Sequence, residues 1–350
     1  MTFVSDPTVI PTDSKSTDDS RSLRKEELLP RLEVTLGEAN EIRAKVFVQV
    51  HARASDDAAT INATSVVQGS LCGPFCRWST TLPSRTVLRD LGKGKTVAAV
   101  ATVGDPAFWS PELPNLYRLE SDLSCGDKVV ATWSQEIGLR RLGIRGHSFW
   151  LDGKRRVPRG VAHSLGSVDL TTARSSFAAV LQNWPEDNIC TEADEIGVWL
   201  MARLWPDEGS KTRSSEAISD RLKAIGQHPS VCCVVLSMED AVRLQSVIRR
   251  RGTLLVGCEV DGVASPPEKI PSDIDFLLLT LSRGAVPHVD WINAHETLPL
   301  VAWEHCEEHS SDEFIRCRQQ CDALQSRLAA WGVANSSERV FRDWAGYVFG

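Results

Sequence analysis

Several things are scarce or missing in this chain of 350 residues, and each absence narrows the field. No apolar run reaches the roughly 20 residues that a membrane-crossing helix needs, so no membrane partner is expected. The opening residues Met1 to Pro7 carry no basic stretch and no long apolar core, so no signal peptide is expected. There is no excess of positive charge. The formal net charge is -7, which argues against a general nucleic-acid binder. The glycine-rich phosphate loop, the dinucleotide fingerprint and the paired-histidine zinc motif are all missing, so no nucleotide, metal or other cofactor is expected. Tyrosine is rare, two residues against eleven tryptophans. A tryptophan face can stack on a sugar ring, although the same residue is also a common core residue.

Cysteine is not rare, but its spacing is uninformative as a disulfide framework. Cys232 and Cys233 are adjacent within an apolar run. Cys72/Cys76 and Cys317/Cys321 are separated by three residues, with no histidine pair following at zinc-finger spacing. Buried or free thiols imply a reducing compartment, hence the cytoplasm.

What is present falls into three stretches. Residues 1–30 are polar, with Ser, Thr, Asp, Pro and Lys interleaved, and read as a disordered tail. From 31 to 142 short alternating strands follow one another between turns rich in Gly, Pro, Asn and Asp. Leu32, Val34 and Leu36 alternate, as do Val46, Val48 and Val50. This spacing predicts a β-sandwich. From 143 to 350 strands alternate with helical segments. Strands are expected at Val157 to Val161, Ala178 to Gln182, Val198 to Ala202, Val231 to Leu236, Leu254 to Gly257, Phe276 to Leu279, Leu300 to Trp303 and Tyr347 to Phe349. Eight βα repeats are a TIM-barrel count. Two features fit less well. The segment near Asp169 to Phe177 is short for a crossover helix, and no helix follows the eighth strand. The barrel is therefore expected to be incompletely closed or cut short.

The stretch Gln227 to Asp240 concentrates the chemistry. His228-Pro229 makes a turn, because proline pushes the preceding residue out of the helical region. Val231 to Leu236 is a continuous apolar run of the kind covered on both faces in a parallel sheet. Glu239 and Asp240 follow at the C-terminal end of that strand, the end that carries chemistry in a barrel. A helix is expected from Asp240 to Arg251. The seventh strand has Glu304 and His305 at its tip. Arg203 and Asp207, after the third strand, are candidates by position.

These motifs resemble glycoside hydrolase family 2, the family of β-galactosidases, β-glucuronidases and β-mannosidases. Trp109-Ser-Pro-Glu-Leu-Pro-Asn-Leu-Tyr117 is similar to the signature of the family's immunoglobulin-like domain. Gly138-Leu139-Arg140 and Phe149-Trp-Leu-Asp-Gly-Lys154 resemble the segments that follow it. Arg159-Gly-Val-Ala-His163, Asp194-Glu-Ile-Gly197 and His228-Pro-Ser-Val231 resemble motifs of the family's barrel. The resemblance implies an immunoglobulin-like β-sandwich followed by a TIM barrel, without the family's jelly-roll domain. It implies retaining hydrolysis of an O-glycoside, with Glu239 as acid/base, Glu304 as nucleophile, and His163, Trp184, Met238 and Trp303 around the sugar. Retention requires the two carboxyls about 5–5.5 Å apart. A proton donor at neutral pH needs apolar cover and a negative neighbour, which Met238 and Glu304 would supply.

Two departures point the other way. Met238 stands where the family has an asparagine that binds the sugar's 2-hydroxyl, and a thioether cannot donate that bond. Leu181 or Gln182 stands where the family has an arginine. The competing expectation is therefore a carbohydrate-binding or scaffold descendant that has lost turnover.

Overall fold

Alternation decides the first half of the molecule. In the computed structural model, which describes residues 31–51, 65–92, 97–163, 168–205, 214–249, 253–306, 314–335 and 343–350, Ala44, Val46, Val48 and Val50 of one strand are all buried. A period of two puts alternate residues on one face, so such a strand needs a partner sheet. The eight strands β1 (Arg31–Ala39), β2 (Arg43–His51), β3 (Ser65–Phe75), β4 (Ser84–Val87), β5 (Arg89–Asp90), β6 (Val97–Gly104), β7 (Leu116–Cys125) and β8 (Lys128–Ile137) supply it. They form two antiparallel sheets of order β1-β2-β6-β5 and β4-β3-β7-β8. Val67, Leu71, Leu119 and Leu123 of the second sheet share one apolar core with Val46 and Val48 of the first. The expected tail, residues 1–30, lies outside the described residues.

A small antiparallel sheet of β9 (Leu142–Arg145), β10 (Ser148–Leu151) and β11 (Lys154–Arg156) links the sandwich to the second half. There, β12 (Arg159–His163), β13 (Ala179–Asn183), β14 (Leu200–Arg203), β15 (Val231–Leu236), β16 (Leu255–Asp261), β17 (Phe276–Ser282), β18 (Leu300–His305) and β19 (Gly346–Phe349) close into a parallel barrel. All six residues of β15 are buried, as a strand covered on both faces requires.

The expectation of an incompletely closed barrel is corrected. β19 pairs with both β18 and β12, so the ring is sealed. Cover for the seam comes from the helix before the eighth strand. The helices are α1 (Leu170–Ser175), α2 (Asp187–Ile196), α3 (Ser215–Ile225), α4 (Met238–Arg243), α5 (Gln245–Ile248) and α6 (Phe314–Asn335). Helix α6 lies on β12 and β19 and buries Cys317, Cys321, Leu324 and Leu328 against them. Burial pushes the Cys321 thiol up to about 12, which leaves it an apolar packing group. The crossover between β12 and β13 is as short as expected, a six-residue helix capped by the Asp169 side chain on the Thr172 N–H.

The helix expected over Asp240 to Arg251 is also corrected. It starts earlier, at Met238, because the Ser237 hydroxyl accepts from the Asp240 N–H and caps it. It breaks at Leu244, whose φ of -97° and ψ of 13° end the first helix and let its side chain turn inward. Residues 250–252 lie outside the described residues.

The sandwich docks on the N-terminal end of the barrel. The Trp109 indole, fully buried, donates to the Asp194 carbonyl at 2.9 Å. Arg140 is buried and donates to the carbonyls of Pro229 at 2.6 Å and Val231 at 2.7 Å. Asp194 accepts from the Ser230 N–H at 2.8 Å and pairs with His228 Nδ1 at 2.6 Å. Gly138 lies so close to Pro229 that a Cβ would overlap its ring. Gly197 ends α2 at a φ of 85°, which only glycine adopts without strain. From the small sheet, Phe149 and Leu151 join Trp199 and Phe276 in the barrel's inner core, with the Phe149 and Phe276 rings edge to face at 5.4 Å. The barrel interior at this end is packed.

Candidate active site

The opposite end of the barrel is built differently. Within each strand, alternate residues face the interior, and the two apolar cores tell which. On β18, Leu300 and Ala302 belong to the outer core under the helices, whereas Val301 and Trp303 belong to the inner one. On β14, Met201 is inner and Ala202 outer. Carrying the alternation to the C-terminal tips brings Asn183, Arg203, Glu259 and Trp303 to the inside, each from a different strand.

These four meet. Arg203 makes a two-point ion pair with Glu259, Nε to Oε2 at 2.6 Å and Nη2 to Oε1 at 3.1 Å. Its Nη1 donates to Asn183 Oδ1 at 3.2 Å. The guanidinium lies over two indoles, 4.9 Å from the Trp205 ring centre and 5.3 Å from that of Trp303. The side chains of Arg203 and Glu259 are only 14% and 12% exposed. Such planar two-point pairing with aromatic stacking is available to arginine and not to lysine. Trp303 is 7% exposed and donates its indole N–H to the Gly350 carbonyl at 2.9 Å. Trp184, held at a φ of 43°, donates to the Trp205 carbonyl at 2.6 Å and so supports the second indole.

The two carboxylates expected to do chemistry stand outside this cluster. Both follow the correct strands and so lie toward the same end of the barrel. Glu239 sits in the first turn of α4 with its side chain 79% exposed and Arg243 at 3.9 Å. Met238 packs against the outer core and not into the barrel interior. Glu304 is 4% exposed and shares the outward parity of Leu300 and Ala302. Its Oε1 accepts from the Gly284 N–H at 2.8 Å, and its Oε2 is ion-paired with Arg327 of α6. Among the described residues Glu239 and Glu304 have no partner in common. His163 is buried and, on the alternation of β12, shares the outer face with Val161. Asp207 lies outside the described residues.

A tight aromatic and ion-paired cluster at the strand tips of a closed βα barrel, with a β-sandwich on the other end, defines the class: a multidomain TIM-barrel protein of the kind that hosts enzymes at its C-terminal face. Residues 31–140 match the family model of glycosyl hydrolases family 2. A β-galactosidase of Priestia megaterium is 27% identical across 39% of this chain and 17% of its own length. A β-glucuronidase of Formosa agariphila is 26% identical across 30% of this chain and 10% of its own length. The chain therefore spans a small part of these relatives.

Among solved structures, β-glucuronidase 2 of Bacteroides uniformis, covalently bound to cyclophellitol-6-carboxylate aziridine, superposes with a TM-score of 0.58 over 91% of this chain and 45% of its own, at 16% identity. A glycosyl hydrolase family 2 member from Bacteroides cellulosilyticus gives 0.59 over 91% and 43%, at 14% identity. The chain is a divergent glycoside hydrolase family 2-like protein. Among the described residues no helix is long and apolar enough to cross a membrane.

Proposed function

We propose that this protein engages O-glycosides at the C-terminal mouth of its barrel and hydrolyses them with retention, Glu239 acting as acid/base and Glu304 as nucleophile. The observation that carries the reading is positional. Two glutamates stand at the tips of β15 and β18, the places a retaining pair occupies in this family, at one end of a sealed barrel. The relatives named β-galactosidase and β-glucuronidase support a carbohydrate substrate. The chain divides in this reading at residues 31–142 and 143–350. The setting is the cytoplasm, in keeping with ten cysteines that are all outside disulfides.

Hydrolysis requires a step of rearrangement. Glu304 must leave Arg327 and turn toward the interior before it can attack a sugar carbon. That requirement, with Met238 in the outer core and the Arg203–Glu259 pair filling the mouth, favours a second reading: a barrel that binds carbohydrate without turnover. The two are separated by assaying purified protein on aryl β-galactosides, β-glucuronides and β-mannosides. Under the first reading one substrate is cleaved and Glu304→Ala removes the covalent step. Glu239→Ala is then mild on good leaving groups, which need little protonation, and severe on alcohols. Sugar binding with no turnover by the wild type selects the second reading. Equal turnover by wild type and Glu304→Ala rules out the nucleophile.

A further inference from the structure

A cavity of about 650 Å³ opens at the N-terminal end of the barrel, between the sandwich and the strand starts, far in topology from the mouth. Its size is that of a small-molecule site, and a boundary between domains is a usual place for one. The walls are mainly apolar and include Trp78, Phe177 and Trp199. Two of these aromatic residues are open to solvent over much of their surface. Trp78 is 45% exposed and Phe177 is 79% exposed. Phe177 is also held at a φ of 53°, a region that bulky residues rarely occupy. That conformation ends α1, with the Phe177 and Ala178 N–H groups donating to the carbonyls of Arg174 and Ala173, and it sets the exposed ring on the cavity rim.

The charge of the walls is opposite to that of the chain. The whole sequence carries -7, yet four arginines and one glutamate line this cavity. Arg156 is neutralised by Glu112, and Arg159 by Asp322 at 2.5 Å. Arg174 donates to the carbonyls of Ile196 at 2.7 Å and Gly197 at 3.2 Å while lying 4.5 Å from the Trp78 ring centre. Arg174 also donates to the carbonyls of Pro111 and Glu112 and feels the Glu112 charge, whereas Arg318 forms no ion pair among the described residues. Arg318 donates to the Phe177 carbonyl at 3.0 Å. A guanidinium outside any ion pair, beside an apolar wall, favours an anion at this spot over water or a neutral guest.

We propose that this cavity is a binding site for an aryl carboxylate, its ring lying between Trp78 and Phe177 and its carboxylate on Arg318. The site is separate from the barrel mouth and does not depend on glycoside hydrolysis. The test is calorimetric titration of the full chain with naphthoate and with its neutral counterpart naphthylmethanol. The wild type should bind naphthoate at least tenfold more tightly, and added salt should weaken naphthoate alone. Arg318→Glu, a surface change on α6, should erase the difference between the two compounds. Trp78→Ala should weaken both. Arg318→Gln keeps the fold without reversing charge and should give an intermediate loss. Any glycoside turnover should be unchanged in the Arg318 variants. Equal binding of the two compounds, no binding of either, or naphthoate binding that neither Arg318 variant alters would each overturn the proposal.

Discussion

The two ends of the barrel solve opposite problems. At the N-terminal end, Trp109, Phe149, Leu151 and Phe276 fill the interior, and Arg140 and Asp194 fasten main-chain groups across the junction with the sandwich. At the C-terminal end, the interior is filled by a polar group, the Arg203–Glu259 pair, between two indoles. The motifs that resemble family 2 most closely cluster at the first end, where they hold the halves together. In a barrel that end reads as stability and the other as chemistry. The comparison teaches that kinship of architecture and survival of activity are read from different residues.

The largest expected effect comes from breaking the packed end. Trp109→Ala removes a fully buried indole and its bond to the Asp194 carbonyl, and should cost about 3–5 kcal/mol in a denaturant titration. A loss below about 1 kcal/mol would mean that the sandwich contributes little to holding the barrel.

The mouth should respond in another way. Glu259→Gln or Arg203→Met alone strands a charged partner in a mostly buried site and should cost about 2–3 kcal/mol. Changing both to methionine should recover most of that loss, because an apolar pair carries no desolvation cost. Additive losses in the double variant would show that the two side chains do not act as a pair.

Acid should loosen the junction through Glu112. Burial raises the Glu112 carboxyl, but hydrogen bonding and the charge of Arg156 outweigh it, leaving the group below its ordinary value of 4.5. A depressed carboxylate contributes stability that is full above its unfolded value and is lost as pH falls through the folded one. Melting temperature should therefore fall more steeply below about pH 4.5 in the wild type than in Glu112→Gln. Parallel curves would remove Glu112 from the account.

The smallest effect is expected at Glu239. Its side chain is 79% exposed with one distant charged neighbour, so Glu239→Ala should change stability by less than about 0.5 kcal/mol. That makes it a clean probe of function, since any loss of turnover would then be chemical.

Much of the architecture was legible because it rests on local pattern. The alternation of Val46, Val48 and Val50 and the apolar run of Val231 to Leu236 each carry their own instruction. The site was less legible. Glu259 was missed because the fifth strand was ended at Gly257, two residues short of it. Extending the alternation of Leu255 and Gly257 would have found it. Arg203 was found by position alone, since its partner comes from a strand two places along the sheet. The parity of Leu300, Ala302 and Glu304 against Trp303 was present in the sequence. It places the glutamate on the opposite face of the strand from the tryptophan, whereas motif matching treats the two as neighbours on one site.

The seal formed by β19 also orders events in time. Of the eight barrel strands it leaves the ribosome last, yet it is hydrogen-bonded to the first, Gly160 opposite Val348. Until it is made, β12 and β18 are open edges with unpaired main-chain groups, the kind that recruit other chains. Closure between segments so distant in sequence is slow, because the loop entropy is lost before the pairing is gained. The nascent protein should therefore depend on chaperone cover until β19 is made, and a deletion confined to β19 should divert the product into aggregates rather than yield a slightly weakened barrel.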